Sequence, residues 1–86
     1  MSRVTIYSTA GCGFCSRAKM MLEKWEIDFD EIRIDIKPGA MEEFQQVTNN
    51  ARTVPQIIID GVVIGGFTEL TELHMDGELD ALMQSN

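Results

Sequence analysis

The stretch Arg3-Val4-Thr5-Ile6-Tyr7-Ser8-Thr9-Ala10-Gly11-Cys12-Gly13-Phe14-Cys15-Ser16-Arg17-Ala18-Lys19-Met20-Met21-Leu22-Glu23-Lys24-Trp25 changes period in its middle, and that change decides the fold. From Arg3 to Ser8 the residues alternate and are rich in β-branched and aromatic side chains, the pattern of a strand. Thr9-Ala10-Gly11 breaks it. From Gly13 the period is helical. Ala18, Met21, Leu22 and Trp25 recur at three- and four-residue spacing and make one apolar stripe, with Arg17, Lys19, Glu23 and Lys24 between them. Trp25 is read as packing within that stripe.

Working outward, Phe29 to Asp35 predicts a second strand, with Phe29, Glu31 and Arg33 on one side and Asp30, Ile32 and Ile34 on the other. Lys37-Pro38-Gly39 is a turn. Ala40 to Val47 suits a helix with Met41, Phe44 and Val47 or Thr48 inward, ended by Asn49-Asn50. Thr53 to Asp60 reads as a third strand opened by Pro55, and Asp60-Gly61 as a hairpin turn into Val62-Val63-Ile64. Gly65-Gly66 breaks that strand, and Thr68 is placed as the N-cap of a helix carrying Leu70 and Leu73. After Asp76-Gly77, residues Leu79, Leu82 and Met83 suggest a last amphipathic turn or two. The expected fold is α/β, in the order βαβ-α-ββ-α: a four-stranded mixed sheet flanked by helices, its first half a right-handed parallel unit.

Composition bounds the function. Eighty-six residues suit one domain over residues 1–86 with one small core. A hydrophobic fraction of 44% and a charged fraction of 24% exclude a disordered chain. No apolar run approaches the roughly 20 residues of a membrane span. Met1-Ser2-Arg3-Val4-Thr5 carries no export signal, so a cytoplasmic protein without membrane partners is expected. Fourteen acids against seven bases argue against nucleic acid. Residues 1–22 hold Arg3, Arg17 and Lys19 and no acid, whereas six acids and no Lys or Arg follow from Asp60 onward. That contrast is expected to help select partners. His74 has no partner pattern and reads as a helix-surface or packing residue.

Two cysteines three apart fit neither a secreted disulfide scaffold nor a four-ligand zinc site within one chain. A redox dithiol is the reading the surrounding chain favours. Cys12 falls where strand becomes helix. There, unpaired N–H groups and the helix dipole favour a thiolate, and such positions lower a cysteine from about 8.5 to 3.5–7.5. Cys12 is therefore the candidate nucleophile. Cys15, one turn on and expected to be more buried, is placed to resolve a mixed disulfide formed on Cys12.

Residues 7–18, then Ala51-Arg52-Thr53-Val54-Pro55-Gln56, then Ile64-Gly65-Gly66-Phe67-Thr68-Glu69-Leu70, resemble a glutaredoxin of the dithiol type, over nearly the whole chain. The resemblance implies a thioredoxin-like fold and glutathione-dependent exchange with glutathionylated or disulfide-containing proteins, by a monomer. It implies that Thr53-Val54-Pro55 carries a cis proline beside the nucleophile and that the Val54 backbone pairs with glutathione like an added strand. It implies that Gly66, the Phe67 backbone and Thr68 take the γ-glutamyl carboxylate. Glu69 either faces the glutamyl ammonium or complements the helix dipole.

This sequence departs from the family's Cys-Pro-Tyr-Cys at Gly13 and Phe14, and from its usual lysine at Thr9. Phe14 should affect contacts more than chemistry. Met41 takes a place where relatives often use a polar or basic residue for the glycyl carboxylate. Lys37 or Arg52 could substitute, and weaker glycyl-end recognition is expected. Cys-Gly-Phe-Cys also resembles the Cys-Gly-Phe-Ser of monothiol glutaredoxins, which implies an alternative: a dimer holding a [2Fe–2S] cluster through Cys12 of each chain and two glutathiones.

Overall fold

The structure, a computed structural model, describes residues 2–84. Met1, part of the stretch read for an export signal, and Ser85-Asn86 lie outside the described residues. The elements are β1 (Val4–Ser8), α1 (Gly13–Lys24), β2 (Asp30–Arg33), α2 (Ala40–Thr48), β3 (Gln56–Ile59), β4 (Val62–Gly65), α3 (Phe67–Met75) and α4 (Glu78–Gln84). The sheet has four strands in the order β2-β1-β3-β4. β1 pairs parallel with β2 and antiparallel with β3, and β3 pairs antiparallel with β4. This is the mixed sheet expected.

The period-two pattern of the central strands divides the apolar side chains between two faces. Val4 and Ile6 of β1 and Ile57 and Ile59 of β3 pack with Ala18 and Leu22 of α1, Leu70 of α3 and Leu79 of α4. Tyr7 and Ile58 point the other way, against Ile34 and against Ala40 and Phe44 of α2. Every residue of β3 is buried, as a central strand covered on both faces must be. Burying one such Leu or Ile fully is worth about 1.5–3 kcal/mol, so the α1 stripe is enough to hold that helix on the sheet.

Four of the differences from the sequence reading have a clear local reason. β3 begins at Gln56, not Thr53, because Pro55 has no N–H for the ladder and the Val54–Pro55 peptide is cis. β2 is limited to Asp30–Arg33, since only these residues lie in register with Thr5–Ser8. α3 starts at Phe67 with Gly66 as its N-cap, so Thr68 is a helical residue and not the cap. The reason is Glu69, whose carboxylate accepts from the Gly66 N–H at 2.7 Å and closes the first turn from within. The C-terminal turn is a separate helix, α4, set off by Gly77 in the left-handed region at φ +78° and anchored by the fully buried Leu79.

Two contacts tie the ends together. The Arg3 guanidinium donates to the carbonyls of Leu82 at 2.8 Å and Met83 at 3.1 Å, and pairs with Asp60 at 2.7 Å. It thereby satisfies carbonyls in the last turn of α4 that have no helical partner. His74 is a packing residue, stacked on Trp25 with ring centroids 3.8 Å apart.

Candidate active site

Cys12 is the N-cap of α1. Its Sγ accepts from the Cys15 N–H at 3.1 Å, and the first turn of the helix holds no acid. The sulfur is therefore stabilised by a helix N-terminus, as the strand-to-helix junction predicts. Cys12 is partly exposed, whereas Cys15 is 1% exposed. The two are joined as a disulfide across a Cα–Cα distance of 5.2 Å, so the structure is that of the oxidised protein.

On one side of the dithiol lies a groove of about 150 Å³ lined by Phe14, Thr53, Val54, Pro55, Gly66, Phe67, Thr68 and Glu69. Eight of the residues read from three separate stretches of sequence thus line one depression. Cys12 Sγ lies 3.7 Å from the Val54 carbonyl oxygen. The cis Val54–Pro55 peptide turns the chain there, and the buried Gln56 holds the turn by donating to the Thr53 carbonyl at 3.1 Å and to Thr53 Oγ1 at 3.3 Å. At the far wall stand Thr68 and Glu69 of the first turn of α3, where Gly66 as N-cap has no side chain to accept from the helix's own N–H groups. A Cβ at Gly66 would make ordinary contact, at 3.4 Å, with Glu69 Oε1 and the Pro55 carbonyl oxygen. The Phe67 side chain, expected to contribute only backbone, lies 5.9 Å from Phe14, ring to ring.

The depression continues past Val54. A second groove of about 490 Å³ shares Thr53 and Val54 and adds Thr9, Met41 and Arg52. Lys37 is not brought to either wall; it is exposed in the turn before α2. A depression of about 670 Å³ between Ser2 and the α1–β2 turn contains neither cysteine.

Behind the dithiol, the acid-free character of residues 1–22 does not survive folding. β2 lies parallel to β1 and brings Glu31 against Lys19 Nζ at 2.8 Å and against the Ser8 hydroxyl at 2.6 Å. The Lys19 ammonium is the main reason the Glu31 carboxyl is held below its ordinary range, with Ser8 second. Asp35 accepts two bonds from the Arg33 guanidinium, at 2.8 and 2.7 Å, and one from the Ala10 N–H at 3.1 Å. Arg33 chiefly, then the backbone, holds the Asp35 carboxyl far below the usual carboxylate range. Asp35 therefore pins the loop that presents Cys12. Sequence reasoning missed Asp35, Glu31 and Gln56 as parts of the site. Gln56 alone left a signal, a polar residue at the head of an otherwise apolar strand.

The glutaredoxin family profile matches residues 4–64. The chain belongs to the glutaredoxin family. A glutaredoxin of Neisseria meningitidis serogroup A is 42% identical over 84 residues, covering 96% of this chain and 98% of that protein. One of Pseudomonas aeruginosa is 41% identical over 85 residues, covering 99% of this chain and all of its relative. The crystal structure of the buckwheat glutaredoxin–glutathione complex superposes with a TM-score of 0.84 at 29% identity, covering 96% of this chain and 77% of the buckwheat chain. As a family member with a Cys12–Cys15 pair at disulfide distance, the chain is a thiol–disulfide oxidoreductase of thioredoxin-like fold.

The alternative cluster needs four thiolates; with Cys15 buried, one chain offers Cys12, and the others would come from a second chain and two glutathiones.

Proposed function

We propose that this protein uses glutathione to reduce glutathione mixed disulfides and protein disulfides. The observation that carries the reading is the groove beside Cys12, with the Thr53-Val54 backbone along it and the first turn of α3 at its end. Those are complementary to a short peptide with a terminal carboxylate.

In the reduced protein, the Cys12 thiolate attacks the glutathionyl sulfur of a mixed disulfide. The target thiolate leaves and takes a proton from water, and glutathione stays bonded to Cys12. A second glutathione thiolate attacks that glutathionyl sulfur, releasing oxidised glutathione and restoring Cys12. On a protein disulfide, Cys12 instead bonds to one target sulfur and expels the other as a thiolate. Cys15 then attacks the Cys12 sulfur, which frees the first target sulfur and closes the Cys12–Cys15 disulfide. Two glutathiones supply the electrons that reopen it. Thr68 and the α3 N–H groups hold the γ-glutamyl carboxylate, Val54 pairs with the cysteinyl backbone, and Phe14 and Pro55 cover the sulfur. Glu69, whose Oε1 already caps Gly66, has its second oxygen for the glutamyl ammonium. At the other end, Arg52 is the cation left for the glycyl carboxylate, since Thr9 and Met41 carry no charge and Lys37 stands apart.

The test is turnover of a small glutathione mixed disulfide with glutathione as reductant. The parent is active and Cys12→Ser inactive. Equal activity of the two, or a parent that works with other thiols as well as with glutathione, overturns the reading.

A further inference from the structure

Near the dithiol, Lys19 is paired with Glu31 and Arg33 with Asp35. Arg52, at the other end of the groove, is left for the glycyl carboxylate. On the α1 side, Arg17 has no ion pair among the described residues. It is exposed, and its guanidinium carbon sits 5.6 Å from the centroid of the Phe14 ring. Phe14 lies between the two cysteines, is 56% exposed, and leans on Phe67. More than half of this aromatic stays in water despite those two contacts, which leaves apolar surface for a partner to cover. Together the three side chains make an apolar ridge beside Cys12 with a cation at its α1 end and the Glu69 carboxylate at its α3 end.

We propose that this ridge docks a segment of a disulfide-bearing protein that carries an apolar side chain beside its reactive cysteine and a carboxylate about two residues away. The proposal rests on the thiol–disulfide chemistry described above and names the protein substrates of that same site. Charge complementarity selects the occupant. Arg17 lies five residues along α1 from Cys12, a rise of about 7 Å. Two residues of an extended partner strand span about the same distance, roughly 7 Å. The apolar neighbour of the target cysteine covers Phe14 and Phe67, and the carboxylate reaches Arg17. Glu69 sets the polarity, since a carboxylate lying the other way along the ridge meets an acid and not a base. Arg17 acts on encounter and orientation, and touches none of the reacting sulfurs.

The test uses the fully reduced protein in single turnover against short peptides, each carrying its one cysteine as a mixed disulfide with thionitrobenzoate. The Cys12 thiolate attacks the peptide sulfur and expels the low-pKa thionitrobenzoate thiolate, whose absorbance is the readout. Cys15 then attacks the Cys12 sulfur and releases the peptide thiol. The peptides have phenylalanine next to cysteine and either aspartate or lysine two residues away, placed before or after it. One exposed charge pair of ordinary strength predicts that the parent reacts about threefold faster with aspartate than with lysine in one of the two placements. That ratio falls toward one in about 1 M salt, where the Debye length is near 3 Å. Arg17→Glu inverts the ratio and Arg17→Lys keeps its direction. Reaction with the thionitrobenzoate disulfide of mercaptoethanol carries no peptide charge, and each peptide rate is divided by it for each protein. A ratio near one in the parent, or an unchanged ratio in Arg17→Glu, overturns the docking proposal while leaving the chemistry intact. A parent that fails on the mercaptoethanol disulfide overturns both.

Discussion

Gly65→Ala perturbs the wall of the groove without touching a sulfur. Gly65 ends β4 at φ +122°, in a region that L residues rarely enter, and a Cβ there would lie 2.9 Å from both Cγ and Oε1 of Glu69. Two costs follow. The backbone conformation is Gly-only and costs on the order of 1–3 kcal/mol for alanine. The overlap with Glu69 costs about 1–3 kcal/mol if the side chain has nowhere to go, and moving it breaks the 2.7 Å bond that caps Gly66. The sum, roughly 2–6 kcal/mol, is a large share of the stability of a small domain and, at about 4–8 °C per kcal/mol, lowers Tm by at least roughly 8 °C. The assay is urea unfolding of the parent, Gly65→Ala, Glu69→Ala and the double variant. Truncating Glu69 to alanine removes both atoms at 2.9 Å, so in that background Gly65→Ala retains only the backbone cost. The cycle should show a coupling of about 1–3 kcal/mol. Additive effects, with no coupling, refute the idea that Gly65 is required by the cap, and with it the role given to Glu69 in shaping the first turn of α3.

Three further outcomes are expected. Thr9→Lys adds a cation to the groove shared with Arg52, Thr53 and Val54 and should tighten glutathione up to about fivefold; calorimetric titration of the reduced protein that shows no tightening removes the glycyl end from this groove. The carboxyls of Asp35, Asp60 and Glu31 are all depressed in the fold, by Arg33, Arg3 and Lys19 in turn. Their stabilisation is therefore complete above the unfolded pKa of about 4 and is lost as pH falls through the folded values. Tm should hold from pH 8 to about 5 and then drop, and Asp35→Asn should be less stable at pH 7 but lose less on acidification; parallel pH profiles for the two proteins contradict this. Because Asp35 also holds the Ala10 N–H, Asp35→Asn should slow Cys12 alkylation, measured against free cysteine as a standard.

The parts of the fold legible in the sequence were those written in periodicity. β1, the α1 stripe and the Asp60-Gly61 hairpin each announce themselves within a dozen residues. The location of Cys12 at a helix N-terminus follows from the same reading, as does the difference in burial between Cys12 and Cys15. What stayed hidden was made by contacts between distant residues. The stretch from Met1 to Leu22 has no acid, yet parallel pairing with β2 sets Glu31 beside Lys19, and Asp35 reaches the Ala10 N–H. Thr68 reads as the N-cap of α3 because Ser and Thr usually cap with their own hydroxyls. Here the cap residue has no side chain, and the carboxylate three positions on does the work from inside the helix. The third strand reads longer than it is because Thr53 and Val54 have strand-like side chains; they line the groove instead. His74, which no pattern placed, became definite only when α3 set it on Trp25.

The division of labour between the two sulfurs is tested most directly by Cys15→Ser, assayed on a small glutathione mixed disulfide and on a protein disulfide in parallel. Cys12, partly exposed at the N-cap of α1, should carry the first reaction alone, so the variant keeps it within a few-fold of the parent. The second requires Cys15 to resolve the intermediate, so it should fall to background, with the target protein trapped as a disulfide on Cys12. Loss of both activities, or retention of both, contradicts the assignment.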